Sequence, residues 1–313
     1  MSLPWTAPRE VLPLVAPYGG LKDPCVVAHD GAWHLFATGC KDGYTYDLVH
    51  ATAPHPAGPW TYAAPSVVAG HTGRDLCAPG VVSDGTRLHL FLHESYNVPG
   101  GAITHLTSDD GGATFTARGT ALRSHAGTSE AGVYDAHPGE VGGRKYLVYA
   151  GFSAVGEPDL HLARADDWHG PWERLGVVLG HDDVPCHNPR GCDAYEWGLE
   201  GGQLTELPDG RTLLLGVCFL PDGGQGARQR AFLALAGDAE GPYEVIGPAI
   251  DPAAYGRTGE NGHGCVVVDG GDVHLYFQHR DGEGLPWTLH VASVPAAAIP
   301  AAISEGATLE SVA

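Results

Sequence analysis

The chain is short of positive charge: 17 Lys and Arg stand against 37 Asp and Glu, a formal net charge of −20 over 313 residues. A protein that tracks a nucleic-acid backbone needs a basic face to displace phosphate counterions, so nucleic acid is not an expected partner. The acidity describes a soluble, self-repelling surface and names no ligand. The sequence also lacks any apolar run of the roughly 18 residues that a membrane-spanning helix requires, so no membrane partner is expected. The N-terminus, MSLPWTAPREVLPLV, has no charged segment followed by an apolar one. No signal peptide is read there, and a cytoplasmic location is expected. The seven cysteines, an odd number, fit a reducing compartment. Most lie in apolar runs (PCVVAH, GVCFL, GCVVV), where a thiol acts as a small hydrophobe. Cys186 and Cys192 flank His187 in a loop-like stretch; two free thiols, a disulfide and a zinc site stay open there, and no second metal-ligand pair follows.

What the sequence has in abundance is turn residues, with 46 Gly and 24 Pro. Five segments read as apolar run, Asp-Gly-type turn, apolar run: CVVAHDGAWHLFATG (25–39), PGVVSDGTRLHLFLHE (79–94), PGEVGGRKYLVYAGF (138–152), GQLTELPDGRTLLLGVCF (202–219) and GCVVVDGGDVHLYFQH (264–279). Glycine supplies the positive φ of tight hairpins, and short runs rich in Val, Leu, Tyr and Phe favour strands over helices. A second hairpin turn follows the first four: HATAPHPAGPW (50–60), LTSDDGGATF (106–115), ARADDWHGPW (163–172) and LAGDAEGPY (235–243). In the second of these, Ser108-x-Asp110-x-Gly112-x-Thr114-Phe115 matches the Asp-box pattern, whose Asp satisfies turn amides and whose aromatic packs between sheets. Trp60, Trp172 and Tyr243 hold the equivalent place and are read as packing between sheets.

A strand–turn–strand unit repeated five times predicts an all-β, five-bladed β-propeller of four-stranded antiparallel blades. The whole chain, 1–313, reads as one such domain, with blades at about 20–65, 75–120, 130–178, 196–248 and 259–295 and a C-terminal tail over 296–313. Blade four carries an insertion near 181–196. Blade five lacks an obvious fourth strand, which Val11–Val15 or Thr308–Val312 could supply. The Ala/Pro-rich stretch 295–306 reads as a surface connection.

In a propeller the first strand of each blade lines the central channel, and residues just before it crowd one mouth. In chain order that position holds Asp23, Ala78, Asp135, Glu200 and His263. Three carboxylates beside a histidine in one ring raise each other's pKa values by mutual repulsion and cost stability, so packing alone does not call for them. Paired carboxylates in different environments are the equipment of glycoside hydrolysis. Strand two returns to the same mouth. Residues after it are therefore candidates for the pocket: Lys41, Asp42, His93, Glu94, Tyr96, Phe152, His279, Arg280 and Asp281. Trp197, close before Glu200, is a candidate platform for a sugar ring.

Lys-Asp-Pro at blade one, Ala-Pro at blade two, Asp at blade three, Glu-Gly at blade four and Gly-His-Gly at blade five resemble glycoside hydrolase family 43 and its clan. The resemblance spans nearly the whole chain and rests on the order and spacing of short motifs. It implies a five-bladed propeller that hydrolyses small saccharides or glycosides, mostly exo-acting on β-xylosides and α-L-arabinofuranosides, with inversion. Asp23 would match the general base, Glu200 the general acid, and Asp135 the carboxylate that tunes and orients the acid. His263 would match the axial histidine that faces a water-coordinated Ca2+ in the channel, a structural ion not required for the chemistry. The sequence departs from the family in Cys77, where Trp is frequent before Ala-Pro, in Gly-Gly after Glu200, and in Ala-His-Pro after Asp135. A phosphorylase or retaining glycosidase on a similar propeller remains open, as does a carbohydrate-binding propeller without catalysis. A phosphorylase needs a cationic cradle, for which Lys41 and Arg280 are the obvious groups. A sialidase needs clustered arginines that the repeats do not offer.

Overall fold

Short apolar runs separated by Gly-rich turns can bury themselves only as sheets packed face to face. The computed structural model describes residues 3–41, 45–71, 76–94, 99–153, 157–184, 198–221, 227–250, 260–282 and 284–299. After a short β1 (Arg9–Glu10), blade one is β2 (Gly20–His29), β3 (Ala32–Lys41), β4 (Thr45–Ala53) and β5 (Thr61–Tyr62). A short β6 (Val67–Val68) leads to blade two: β7 (Gly80–Ser83), β8 (Leu88–His93), β9 (Ala102–Ser108) and β10 (Thr114–Arg123). Blade three is β11 (Gly132–Val141), β12 (Arg144–Phe152), β13 (Asp159–Ala165) and β14 (Glu173–Leu179). Blade four is β15 (Leu199–Glu206), β16 (Thr212–Pro221), β17 (Ala227–Ala236) and β18 (Glu244–Pro248). Blade five holds β19 (Glu260–Asp269), β20 (Asp272–Arg280) and β21 (Thr288–Pro295). The first strands form a closed ring, β2 beside β7, then β11, β15, β19 and back to β2. The expected five-bladed β-propeller is what the chain forms. Among the described residues no helix is long and apolar enough to cross a membrane.

Ring closure comes from the N-terminus. Arg9 and Glu10 pair antiparallel with Val291 and His290, so β1 is the fourth strand of blade five, just ahead of the Val11–Val15 segment. The alternative, Thr308–Val312, lies outside the described residues. Two other expectations change. Blade two gains a fifth strand, because Val67 and Val68 pair parallel with Thr114 and Phe115. The start of the Ala/Pro-rich segment is core and not surface: Ile299 is fully buried and Ala296 nearly so, in the cluster between blades four and five. Of the insertion near 181–196, the described part is a single 3-10 turn at His181–Asp183.

Each blade interface has its own apolar cluster, so the core is five wedges and not one mass. The turn aromatics sit in these wedges as expected. Phe115 meets Phe36 of blade one edge-on at 5.7 Å, Trp172 meets Phe91 of blade two at 5.8 Å, and Trp60 meets Tyr276 of blade five at 6.1 Å. Edge-to-face rings add to area burial in such places. The Asp-box works as its pattern requires: the amide of Thr114 donates to Asp110 and that of Gly112 to Ser108, both at 2.9 Å. First strands have no ladder to the next blade, and side chains clamp them instead. The amides of Val81, Val26 and Val266 donate to Cys25 Sγ (3.2 Å), Cys265 Sγ (3.2 Å) and Gln203 Oε1 (2.6 Å). Gly80 lets blades two and three approach, since a Cβ there would lie 2.1 Å from the carbonyl oxygen of Ala136.

Blades one and two share a second device. His34 Nδ1 meets His50 Nε2, and His89 Nδ1 meets His105 Nε2, each at 2.9 Å and each joining strand two to strand three. The rings of each pair stack within 13° of parallel. Burial, then the neighbouring imidazole, pulls His50 down to about 4 and His105 to about 3. Their folded values lie below the unfolded value of roughly 6.5, so the unfolded chain takes up more protons and stability falls as pH drops below that point. Denaturant midpoints measured from pH 7 to pH 4 are expected to fall steadily. Replacing one pair together (His89→Phe with His105→Leu, which removes both rings and with them the His89 bond to Asp84 at 3.0 Å) should flatten that fall. An unchanged slope in the double variant would show that the pair is not its source.

Candidate active site

The site residues lie inside the first strands, at β-bulges, and not just ahead of the strands as the sequence suggests. In four blades the pairing of strand one with strand two skips the same two residues: between Lys22 and Cys25, Tyr134 and His137, Glu200 and Gln203, and Asn261 and Gly264. A bulge re-aims side chains that the ladder would otherwise hold. The backbone is left-handed in three of these bulges, at Asp23 (φ 53°), Asp135 (φ 49°) and Gly201 (φ 58°), and at Ala78 (φ 49°) ahead of β7. Outside glycine this conformation costs about 1–3 kcal/mol and gathers at functional sites, with Asp among the more tolerant residues. Aligning the bulges also corrects the common register. Asp23, Ala78 and Asp135 share one position, Glu200 stands one residue earlier and His263 one later. Glycine is required at 201, because a Cβ would come within 2.7 Å of His263 Nδ1.

The offsets bring four groups to one point. His263 Nε2 is 3.2 Å from Glu200 Oε2 and 3.6 Å from Asp135 Oδ2, and His263 Nδ1 is 3.9 Å from Asp23 Oδ1. None of the four residues is more than 4% exposed. Burial disfavours the imidazolium, but Asp135, the Glu200 hydrogen bond and Asp23 outweigh it and raise His263 to about 9. Its folded value exceeds the unfolded one, so its contribution to stability is full below about 6.5 and is lost as pH rises through about 9. The carboxyls part in opposite directions. Burial pushes Glu200 up and Asp135 pushes it further, against the bonds from His263 and Tyr134. Burial also pushes on Asp23, but Lys22, His263 and the Thr38 hydroxyl bring it down to about 2. Asp135 is lowered as well: His263 and His93 overcome the penalty of burial.

Supporting residues that the sequence reading passed over complete the site. Tyr134 donates to Glu200 Oε1 at 2.9 Å, and Thr38 donates to Asp23 Oδ2 at 2.7 Å. Lys22 lies 3.4 Å from the same oxygen, and Gln278 accepts the Asp23 amide at 2.9 Å. Lys22 and Tyr134 immediately precede the two aspartates and share one bulge position; that was the signal available for them. Of the pocket candidates, His93 joins the cluster, with Nδ1 3.4 Å from Asp135 Oδ1. Phe152 packs edge-on against Tyr134 at 5.9 Å and so braces the residue that bonds Glu200. Glu94 makes its bond elsewhere, from the Thr104 hydroxyl at 2.7 Å. Arg280 pairs with Glu260 and stacks over Trp287, and Lys41 pairs with Asp47 at 2.5 Å. Both cations of the phosphate-cradle reading are thus met by carboxylates. His279 bonds Asp281 at 3.0 Å. Asp42, Tyr96, Trp197, Cys186 and Cys192 lie outside the described residues.

Asp135, Glu200 and His263 each bring one donor atom within 4.8 Å of the others. Calcium takes six to eight oxygen ligands, and a protonated imidazole at the centre of the cluster does not suit direct coordination. His263 Nδ1 is buried without a hydrogen-bond partner. It would accept from the water shell of an ion only with His263 neutral, since a protonated Nδ1 can only donate.

No protein-family model matches the chain, and no curated protein matches it. By architecture the chain is a five-bladed propeller of the kind found in several glycoside hydrolases. An α-L-arabinofuranosidase from Podospora anserina, solved with cellotriose, superposes with a TM-score of 0.66 at 16% identity, over 94% of this chain and 98% of that one. A thermostable family-43 glycoside hydrolase gives 0.65 at 18% identity, over 88% and 91%. A family-32 β-fructofuranosidase from Bombyx mori gives 0.63 at 18% identity, over 90% of this chain and 60% of that one. At these identities the shared property is the fold.

The His263 titration reports the cluster directly. By NMR of its imidazole nitrogens a midpoint near pH 9 is expected, and Asp135→Asn, which removes the largest favourable partner, should lower it. A midpoint unmoved by Asp135→Asn would contradict the charge arrangement.

Proposed function

We propose that the chain is a glycoside hydrolase, exo-acting and inverting, on small β-xylosides, α-L-arabinofuranosides or related glycosides. The observation that carries the reading is the pair of buried carboxyls on either edge of His263, Asp23 pulled down to about 2 and Glu200 pushed up by burial and by Asp135. Pairs pushed apart in this way assign base and acid. Asp23 takes a proton from water as its oxygen attacks the anomeric carbon. Glu200 gives its proton to the leaving oxygen as the glycosidic bond breaks. Inverting enzymes keep about 6.5–9.5 Å between the two carboxyls to admit the water, and the ring of His263 keeps Asp23 and Glu200 out of direct contact. Asp135, on the strand between them in the ring, repels charge from Glu200 and so keeps the acid loaded. The five motifs and the shared fold support the sugar class.

The depth of the cluster favours one other reading, a charge-balanced ion network that steadies the channel of a carbohydrate-binding propeller. Activity separates the two. Against a panel of aryl glycosides, Glu200→Gln should lose about 10²–10⁴-fold on substrates with poor leaving groups and much less on activated ones. Asp23→Asn should lose activity on both. NMR of the first-formed sugar should show the inverted anomer. Full activity of Glu200→Gln on a poor leaving group, or a retained anomer, would overturn the assignment.

A water-shelled Ca2+ against His263 Nδ1 would take over the charge of the imidazolium, with His263 neutral. It would supply positive charge at the foot of the site. Thermal melts with EDTA and with added CaCl2 test it: the melting temperature should fall with chelator and recover with calcium, and identical melts would remove the ion from the account.

A further inference from the structure

We propose, on the footing that Asp23 is the base, that Lys22 is a positioning residue that ties down one oxygen of Asp23 and leaves the other to take the proton from water. The two oxygens are unequal. Oδ2 is approached by three groups: the Thr38 hydroxyl at 2.7 Å, the Lys22 ammonium at 3.4 Å and the Cys77 thiol at 3.6 Å. Oδ1 has His263 Nδ1 at 3.9 Å, beyond hydrogen-bond distance. The main chain is fixed as well. Gln278 accepts the Asp23 amide and donates in turn to Gln229 at 2.6 Å, so blades four and five hold the residue from behind.

The fivefold register gives Lys22 its role independently. One residue before the position that is left-handed in blades one to four, and before the bulge in blade five, the blades carry Lys22, Cys77, Tyr134, Glu200 and Asn261. Members of this second ring touch across blade boundaries. Lys22 donates to Cys77 Sγ at 3.3 Å, and Tyr134 donates to Glu200 at 2.9 Å. The register thus matches Lys22 on Cys77 with Tyr134 on Glu200, and Lys22 adds to this its contact with Asp23 Oδ2. Its ammonium also lies 5.3 Å over the ring of Tyr46, which fixes the stem from blade one's third strand.

The charged and titratable groups facing Asp23 come from five strands and the segment ahead of a sixth. They are Lys22 on its own strand, Cys40 on β3, Tyr46 on β4, Cys77 ahead of β7, Asp135 and His137 on β11, and His263 on β19. Burial opposes charge on Lys22, but Asp23, then Cys77 and Tyr46, raise it above the ordinary lysine range. Burial keeps the Cys77 thiol protonated, as a donor and not a competing anion.

Lys22→Met keeps the stem and removes the charge, and Lys22→Arg keeps the charge. Carbon-13 NMR of the Asp23 carboxyl, assigned by its loss in Asp23→Asn, and the pH profile of kcat/KM on an aryl glycoside are the readouts. In Lys22→Met the Asp23 midpoint should rise from about 2 by roughly one pH unit or more, and the acidic limb of the profile should rise with it. Lys22→Arg should keep both near wild type. If Met at this position prevents folding, Lys22→Gln gives the same two readouts. An unmoved Asp23 midpoint overturns the proposal. So does an activity loss equal at every pH, with the acidic limb in place, because that is what a merely structural lysine gives. A shifted midpoint in a protein whose wild type turns over no glycoside upholds the role of Lys22 towards Asp23 and overturns the hydrolase reading, so the two failures are distinguishable.

Discussion

Three carboxyl groups enclosed around one imidazole ring form the constraint on which the rest of this structure turns. Buried anions that close cannot all stay charged without compensation. The chain meets the problem with two cations and one weakened acid: His263 between the carboxyls, Lys22 behind Asp23, and a Glu200 carboxyl pushed up by burial and by Asp135. Charge balance thus does what a glycosidic mechanism would ask of it. The carboxyl nearest a fixed ammonium is held low, and the carboxyl that faces another carboxylate is pushed towards its neutral form against the bond from a phenol.

The fold is arranged to make that enclosure. First strands of a propeller run side by side around the channel, but a regular strand would point alternate residues into neighbouring blades. The bulge shared by four first strands breaks the alternation at one level, and left-handed backbone at Asp23 and Asp135 completes the turn towards the axis. The strain is carried by rigid surroundings. Thiol and amide clamps join adjacent first strands, and edge-on aromatic pairs lock the blades farther out.

The repeat was legible in the sequence because its turns are chemically marked: Gly where φ is positive, Asp and Ser where amides need acceptors. The aromatics after the second turn were legible for the same reason. Ring closure was not, because β1 is two residues long and carries Arg and Glu, with no apolar pattern to announce a strand. The buried Ile299 was hidden in an Ala/Pro-rich stretch that reads as surface. In the site, Asp23, Asp135, Glu200 and His263 could be found by lining up the repeats, yet the alignment was one residue out for the last two. Hydrophobic pattern does not report a bulge, since the skipped residues are polar or small in every blade. Lys22 and Tyr134 escaped notice because their roles follow from the bulge and not from residue type. Arg280 shows the converse: a cation well placed in the sequence whose charge is met by Glu260.

The account depends most on where protons reside at rest. Neutron diffraction from a deuterium-exchanged crystal at neutral pH observes them directly. Deuterium on the Glu200 carboxyl and on both nitrogens of His263, with none on Asp23, is the predicted result. An ionised Glu200 beside a singly protonated His263 would contradict it.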